Sequence, residues 1–128
     1  MATPKTVMVI EDASLVRLYC RSALEPAGFR VLEALNGIEA LEKLPGLAVD
    51  LLIVDVNMPQ MDGLSFLRKL RQSASSIAAL PALVTSTESR EADFAAARAA
   101  GANYYLVKPV AREQLVLFAA MFCGVPPQ

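Results

Sequence analysis

Short apolar runs alternate along the chain with segments whose apolar residues recur at helical spacing. Five runs predict strands, at residues 7–10, 29–34, 51–54, 80–84 and 104–107. Five segments predict helices, at residues 15–23, 37–44, 64–70, 92–100 and 112–122. The pattern therefore predicts five consecutive strand–helix units, with no repeat and no linker between them.

This strict alternation predicts an α/β fold, in which a parallel sheet carries helices on both faces. The first, third and fourth strands are almost entirely apolar and therefore fit the interior of a sheet. The second strand contains Arg30 and Glu33, which is typical of an edge. A strand order of 2-1-3-4-5 satisfies both requirements. With 128 residues, we expect one domain over residues 1–128.

Composition excludes several classes of function. The net charge is -1, with no basic excess, so we expect no direct binding to nucleic acid. No apolar run is long enough for a signal peptide or a membrane span, so we expect a cytoplasmic protein without membrane insertion. The chain has no histidine, which removes a serine–histidine–aspartate triad and leaves oxygen as the ligand atom for any metal.

Carboxylates are predicted to meet where the strand order reverses. Glu11 and Asp12 follow the first strand and Asp55 follows the third, and these two strands are neighbours in the predicted sheet. Ligands of such sheets bind at this edge. Since three like charges repel one another unless a cation is present, the sequence predicts a site for Mg²⁺, which prefers carboxylate and water ligands.

Phosphoryl transfer is a chemistry that these residues can support. An aspartate bound near Mg²⁺ can act as a nucleophile on phosphorus, which assigns that role to Asp55. The transferred group also needs positive charge and hydrogen-bond donors. Lys108 beyond the fifth strand supplies the charge, and Thr85 or Ser86 at the end of the fourth strand supplies a hydroxyl.

The segments VIEDA, DVNMPQMDG and YYLVKP together resemble the receiver domain of response regulators, and the stand-alone chemotaxis type most closely. The resemblance implies a flavodoxin-like, doubly wound fold and a role as a phospho-acceptor in two-component signalling rather than as an enzyme. It implies that Asp55 is the phosphoacceptor and that Mg²⁺ is held by Asp12, by Glu11 through water, and by the backbone carbonyl of Asn57.

The resemblance also implies a switch between two states. Ser86 matches the switch hydroxyl by its spacing from Lys108, and Thr85 lies one residue away from that position. Tyr105 matches the switch aromatic, and Lys108, followed by a cis proline, matches the phosphate-binding lysine. We further expect Asn57 and Glu88 to set how long the phosphoryl group lasts.

The partners implied by the resemblance are a sensor histidine kinase or a phosphotransfer protein upstream and a protein target downstream. The face made by the fourth helix, fifth strand and fifth helix is the expected output surface, either for that target or for a homodimer. The fifth helix supports this expectation because residues 115–122 are apolar without a break. Part of such a helix must be exposed in a monomer.

Three alternatives stay open. The first is a receiver domain cut from a longer regulator with a DNA-binding or enzymatic output. The second is a phosphatase with an aspartyl nucleophile, which is disfavoured because Asn57 stands where a general acid is needed. The third is a flavin-binding electron carrier, which is disfavoured because the loop after the first strand is acidic.

Overall fold

The computed structural model describes residues 3–126, and these residues form five parallel strands, each followed by an α-helix. The strands are β1 (Thr6–Ile10), β2 (Arg30–Ala34), β3 (Leu51–Asp55), β4 (Ala82–Ser86) and β5 (Tyr104–Val107). The helices are α1 (Ser14–Leu24), α2 (Gly37–Lys43), α3 (Gly63–Arg71), α4 (Glu91–Ala100) and α5 (Arg112–Cys123). The prediction of five strand–helix units is confirmed.

The sheet has the order β2-β1-β3-β4-β5, as predicted from the apolar runs. All neighbouring strands pair in parallel, with Ile10 opposite Val54 and Asp55 opposite Thr85. The strand order reverses between β1 and β3. The carboxyl ends of these two strands therefore flank the crevice in which the fold class binds ligands.

Alternation along the strands divides the core between the two faces of the sheet. Side chains on one face, including Met8, Val54 and Val84, are buried under α2, α3 and α4. Their neighbours on the other face, including Val9 and Ile53, are buried under α1 and α5. β1, β3 and β4 are thus covered on both sides, and this is why their sequences are almost entirely apolar without alternation.

The segment between α3 and β4 differs from the prediction. A 3₁₀ turn, Ser76–Ala79, occupies part of it, and β4 begins at Ala82 rather than at residue 80. The Arg71 side chain shapes this segment, because its guanidinium donates to the carbonyl oxygens of Ala78 and Leu80. It also donates to the carbonyl oxygen of Gly101, which ties the segment to the end of α4.

Two further features concern the helices. Cys20 in α1 and Cys123 in α5 are free, buried thiols. Within residues 3–126, every helix is too short or too polar to cross a lipid bilayer.

Candidate functional site

Strand alternation brings four polar side chains to one side of the sheet edge. Each stands two residues beyond a buried apolar residue of the α1 and α5 face, so it continues that face at the end of its strand or just past it. The four polar residues are Glu11, Asp55, Thr85 and Lys108. The apolar residues that precede them are Val9, Ile53, Leu83 and Leu106.

The Lys108 ammonium group lies between two buried carboxylates. Its Nζ is 2.8 Å from Glu11 Oε1 and 3.0 Å from Asp55 Oδ1. The side chains of Glu11 and Asp55 are only 4% and 6% exposed, while that of Lys108 is 22% exposed. The positive charge of Lys108 and the negative charges of Glu11 and Asp55 stabilise one another, because each of these charges would be costly to bury alone.

A third carboxylate, that of Asp12, completes the cluster. Glu11, Asp12 and Asp55 each have a carboxylate oxygen within 4.8 Å of the others. Asp12 is exposed, so the cluster opens to solvent on its side. Three carboxylates against one lysine leave an excess of negative charge, which suits a hard divalent cation with oxygen ligands.

The pKa shifts at this site follow from burial and from that excess of negative charge. Burial raises the pKa of Glu11 above its ordinary value, and the hydrogen bond from Lys108 offsets this only in part. Burial alone lowers the pKa of Lys108, but the bonds to Glu11 and Asp55 outweigh it and raise the pKa. Both groups therefore hold their protons more tightly than they do in water.

The loop after β3 is built to run close to Asp55. Gly63 is required there, because a Cβ atom on it would lie 2.3 Å from the carbonyl oxygen of Asp55. The Asp62 side chain caps α3 by accepting from the Ser65 amide at 2.9 Å. Asn57, whose carbonyl was expected to complete the metal shell, is exposed at the start of this loop.

The hydroxyls of Thr85 and Ser86 lie on opposite sides of the sheet edge. Thr85 pairs in register with Asp55 and shares a cavity wall with it and with Lys108. Ser86 follows Val84 on the other face, and its Oγ accepts from the Glu88 amide at 3.1 Å. Thr85 is therefore the hydroxyl on the Asp55 side of the sheet, and the assignment of Ser86 as the switch hydroxyl stays a prediction.

Tyr105 lies on the same face as Ser86 and connects to the same loop residue. Its hydroxyl donates to the carbonyl oxygen of Glu88 at 2.9 Å. The ring packs edge-to-face on Phe94 of α4, with 4.7 Å between ring centroids. The expected coupling between Ser86 and Tyr105 thus has a physical connection, which is the backbone of Glu88 between β4 and α4.

An apolar cavity of about 530 Å³ opens beside the charged cluster. It lies between α1 and the segment from β5 to α5, and Asp55 and Lys108 stand at its polar end. The apolar walls include Val16, Cys20, Val110 and Leu115, among others. A hydrogen bond from the Tyr19 hydroxyl to the carbonyl oxygen of Val110, 2.7 Å long, spans from α1 to this segment.

Two features of the site go beyond the sequence analysis. The sequence offered both Thr85 and Ser86 as a hydroxyl, and strand alternation places Thr85 on the side of Asp55, because residues 83 and 85 face the same side as residues 53 and 55. The contacts of Arg17 with the main chain of Glu11 and Asp12 gave no signal, because backbone acceptors occur at every residue. Only the folded arrangement shows which carbonyl groups this arginine reaches.

The chain belongs to the response regulator receiver domain family, whose sequence model matches residues 7–120. This match agrees with the acidic cluster, the paired lysine and the sheet order described above. The chain is therefore a receiver domain of the kind found in two-component response regulators, and the predicted resemblance is confirmed.

Known relatives include receivers of different organisation. The chain is 40% identical over 105 residues to the chemotaxis protein CheY1 of Helicobacter pylori, covering 80% of this chain and 84% of that one. It is 41% identical over 103 residues to the KDP operon transcriptional regulatory protein KdpE of Escherichia coli, covering 80% of this chain but only 44% of that protein. The Vibrio cholerae CheY4 structure aligns with a TM-score of 0.87 and 31% identity, over 94% of this chain and 99% of that one.

Proposed function

We propose that Asp55 accepts a phosphoryl group from a phosphohistidine on a sensor kinase or phosphotransfer protein. One observation carries the proposal: Asp55 is a buried carboxylate at the switch edge, 3.0 Å from Lys108 and clustered with Glu11 and Asp12. In the transfer, an Asp55 oxygen forms a bond to phosphorus while the bond from phosphorus to the donor nitrogen breaks. The electron pair of that bond stays on the donor histidine.

Mg²⁺ is the proposed cofactor, with Asp12, Asp55 and the Asn57 carbonyl as ligands and Glu11 acting through water. When bound, it supplies positive charge that offsets the charge on the phosphoryl oxygens. Lys108 already lies within hydrogen-bond distance of Asp55 and would follow the phosphoryl oxygens as they arrive. The Ser86 hydroxyl, or that of Thr85 on the same side of the sheet as Asp55, would donate to one of them.

Intact-mass measurement tests the phosphoacceptor directly. Wild type, Asp55→Asn and Asp62→Asn are incubated with phosphoramidate and Mg²⁺. Asp62→Asn is the matched control, because asparagine keeps the cap of α3. We expect one phosphoryl group on wild type and on Asp62→Asn and none on Asp55→Asn. Equal uptake by all three proteins would show that another residue accepts the group.

The lifetime of the phosphoryl group is proposed to depend on Asn57 and Glu88. Both side chains are exposed in the loops that follow β3 and β4, so each is accessible to a water molecule approaching Asp55. An amide or carboxylate there can orient that water. Alanine at either position should change the rate of phosphate release from the loaded protein. Unchanged rates in both variants would remove this role.

The proposed output surface consists of α4, β5 and α5. On it, Leu117 and Met121 are 45% and 60% exposed, which confirms that part of the apolar helix faces solvent. Tyr104 stacks on Phe118 beside them, with 4.5 Å between ring centroids. Tyr105 on the same strand reaches Glu88 and so connects this surface to the phosphorylation site.

A double substitution tests the output surface. Leu117→Glu with Phe118→Glu should leave phosphate uptake intact while weakening binding to a downstream protein or to a second copy. Leu15→Glu is a suitable control, because Leu15 is exposed on α1, away from the proposed surface. If oligomeric state and partner binding match wild type in a folded double variant, the output surface lies elsewhere.

The organisation of the natural protein is a further proposal. We propose a single receiver domain over residues 1–128, located in the cytoplasm, with self-phosphorylation and self-dephosphorylation as its only chemistry. The match to most of CheY1 supports a stand-alone receiver. The match covers only 44% of KdpE, and this supports the alternative, in which an output domain follows the receiver domain. Two buried, free thiols are in keeping with a reducing compartment.

A further inference from the structure

We propose that Arg17 is a positioning residue that fixes the backbone of the acidic pair, Glu11 and Asp12, and thereby sets the affinity of the site for a divalent cation. The inference rests on the proposed Mg²⁺ site and adds a residue outside the ligand set. It follows from the way in which the loop between β1 and α1 is held.

Few side-chain contacts hold Asp12 in this loop, whereas Glu11 is fixed by the bond from its amide to the Ala34 carbonyl oxygen and by Lys108. Ala13, at the N-cap of α1, offers no side-chain hydrogen bond to the helix. Among residues 3–126, no hydrogen bond reaches the carboxylate of Asp12, although this carboxylate belongs to the acidic cluster. The position of the Asp12 carboxylate is therefore determined by the backbone of Asp12.

Arg17 binds that backbone directly. Its Nη1 donates to the carbonyl oxygen of Glu11 at 2.8 Å and to that of Asp12 at 3.0 Å. One nitrogen thus bridges two consecutive peptide groups and limits their rotation. The side chain is 14% exposed, and its bond to the Glu11 carbonyl oxygen is partly buried, which limits competition by water there, whereas the bond to the Asp12 carbonyl oxygen is exposed.

Arg17 is in turn held in place from β2. Its Nε donates to Glu33 Oε1 at 2.7 Å, while the other Glu33 oxygen binds Arg21 Nη2 at 2.7 Å. Arg21 therefore supports the same glutamate but donates to neither loop carbonyl among the described contacts. This difference makes Arg21 a matched control, because its loss disturbs the same ion pair without releasing the loop.

Charge and position have opposite effects on metal affinity, and this makes the inference testable. Removing a positive charge near the site should by itself strengthen cation binding. Releasing the loop should weaken it, because the ligands must then be ordered when the metal binds. Arg17→Met removes both the charge and the hydrogen-bond donors of the guanidinium group. Arg17→Lys keeps the charge but loses the planar arrangement of those donors.

Electron paramagnetic resonance of free Mn²⁺ measures the dissociation constant on the full, unphosphorylated chain. We expect Arg17→Met and Arg17→Lys to raise the Kd about tenfold, which is the lower end of the usual effect of residues that orient metal ligands. Arg21→Met should change it by about twofold or less. Urea unfolding of each variant measures its stability. We expect Arg17→Met and Arg21→Met to have similar stabilities but different dissociation constants for Mn²⁺.

Several outcomes would overturn the inference. Arg17 variants that bind Mn²⁺ as wild type does would show that the ligands need no positioning by Arg17, and tighter binding by Arg17→Met would show that only its charge matters. Equal weakening by Arg21→Met would show a general loss of stability instead of positioning. If Arg17→Met does not fold, Arg17→Lys decides alone by the same criterion. A wild-type protein that does not bind Mn²⁺, or binds it no better than Asp12→Asn does, would refute the proposed metal site as well.

Discussion

Removing the Lys108 ammonium group should expose how much of the fold depends on a cation at the switch edge. In Lys108→Met, the apolar stem is retained while the charge disappears. Glu11 and Asp55 are then left as neighbouring buried carboxylates, with side chains only 4% and 6% exposed. Their mutual repulsion and lost hydrogen bonds destabilise the folded state.

The size of this effect can be bounded from burial. Breaking a fully buried ion pair costs about 3–5 kcal/mol, whereas exposed pairs contribute about 0–1 kcal/mol. Lys108 is 22% exposed and binds two carboxylates, so the lower end of the buried range applies. We expect Lys108→Met to lose about 3 kcal/mol of unfolding free energy. For a chain of this length that corresponds to about 10 °C in melting temperature.

Added Mg²⁺ should recover much of this loss. A ligand that binds only the folded state stabilises it by about 2.7 kcal/mol at 100 times its Kd. Because the variant has no lysine to share the carboxylates, it should bind Mg²⁺ more tightly and gain more stability than wild type at the same concentration. Urea unfolding, followed by circular dichroism in EDTA and then in Mg²⁺, measures both effects.

A surface lysine provides the control. Lys43 pairs with Glu39 at 3.2 Å, and their side chains are 47% and 33% exposed. Lys43→Met should therefore cost less than about 1 kcal/mol and show no special response to Mg²⁺. If Lys108→Met and wild type unfold at the same urea concentration in EDTA, the lysine does not stabilise the buried carboxylates and the reasoning fails.

Three further predictions concern the surroundings of the site. Bonds from Arg21 and Arg17 lower the pKa of Glu33, so its contribution exists above the unfolded pKa and is lost as the pH falls through the folded value; in urea unfolding, Glu33→Gln should be less stable than wild type at neutral pH, with a gap that closes below about pH 4. Val110→Phe should fill part of the 530 Å³ cavity and raise stability by about 1 kcal/mol, and an unchanged melting temperature would mean that the cavity does not accept the ring. Thr85→Ala should slow phosphorylation by phosphoramidate about tenfold or more, and Ser86→Ala far less, and the reverse order would restore Ser86 as the hydroxyl beside Asp55.

The parts of the fold that follow from local pattern were predictable. Doubly covered strands have apolar sequences whatever their partners are, and Arg30 and Glu33 marked the second strand as an edge. The other edge, β5, carries no charge, so the full order was predicted because it is typical of this fold class. The carboxylate cluster was predictable because strand ends at a switch point lie together in any sheet of this order. These inferences required only the position of a residue relative to the end of its strand.

The rest depended on contacts between segments distant in sequence. The turn Ser76–Ala79 follows a stretch with no strong periodicity, and it is shaped by the Arg71 guanidinium through backbone carbonyl groups. Arg17 acts in the same way on the loop after β1. A backbone acceptor carries no sequence signature, so neither arrangement was visible in the sequence. Ser86 was assigned by its spacing from Lys108, and that assignment stays a prediction. Strand register, which appears only in the folded sheet, places the Thr85 side chain on the face of Asp55.

The sheet separates the proposed chemistry from Tyr105, the residue proposed to connect it to the output surface. Asp55, Thr85 and Lys108 lie on the side of α1 and α5, whereas Tyr105 packs against the side of α4. A change at Asp55 must therefore pass through the backbone at the end of β4, where Ser86 and Tyr105 both bind Glu88. Residues 87–90 are exposed, so few packing contacts oppose their movement. A new hydrogen bond from the Thr85 hydroxyl to the phosphoryl group would shift the following loop, which few packing contacts hold in place. The buried strands on either side would keep their register.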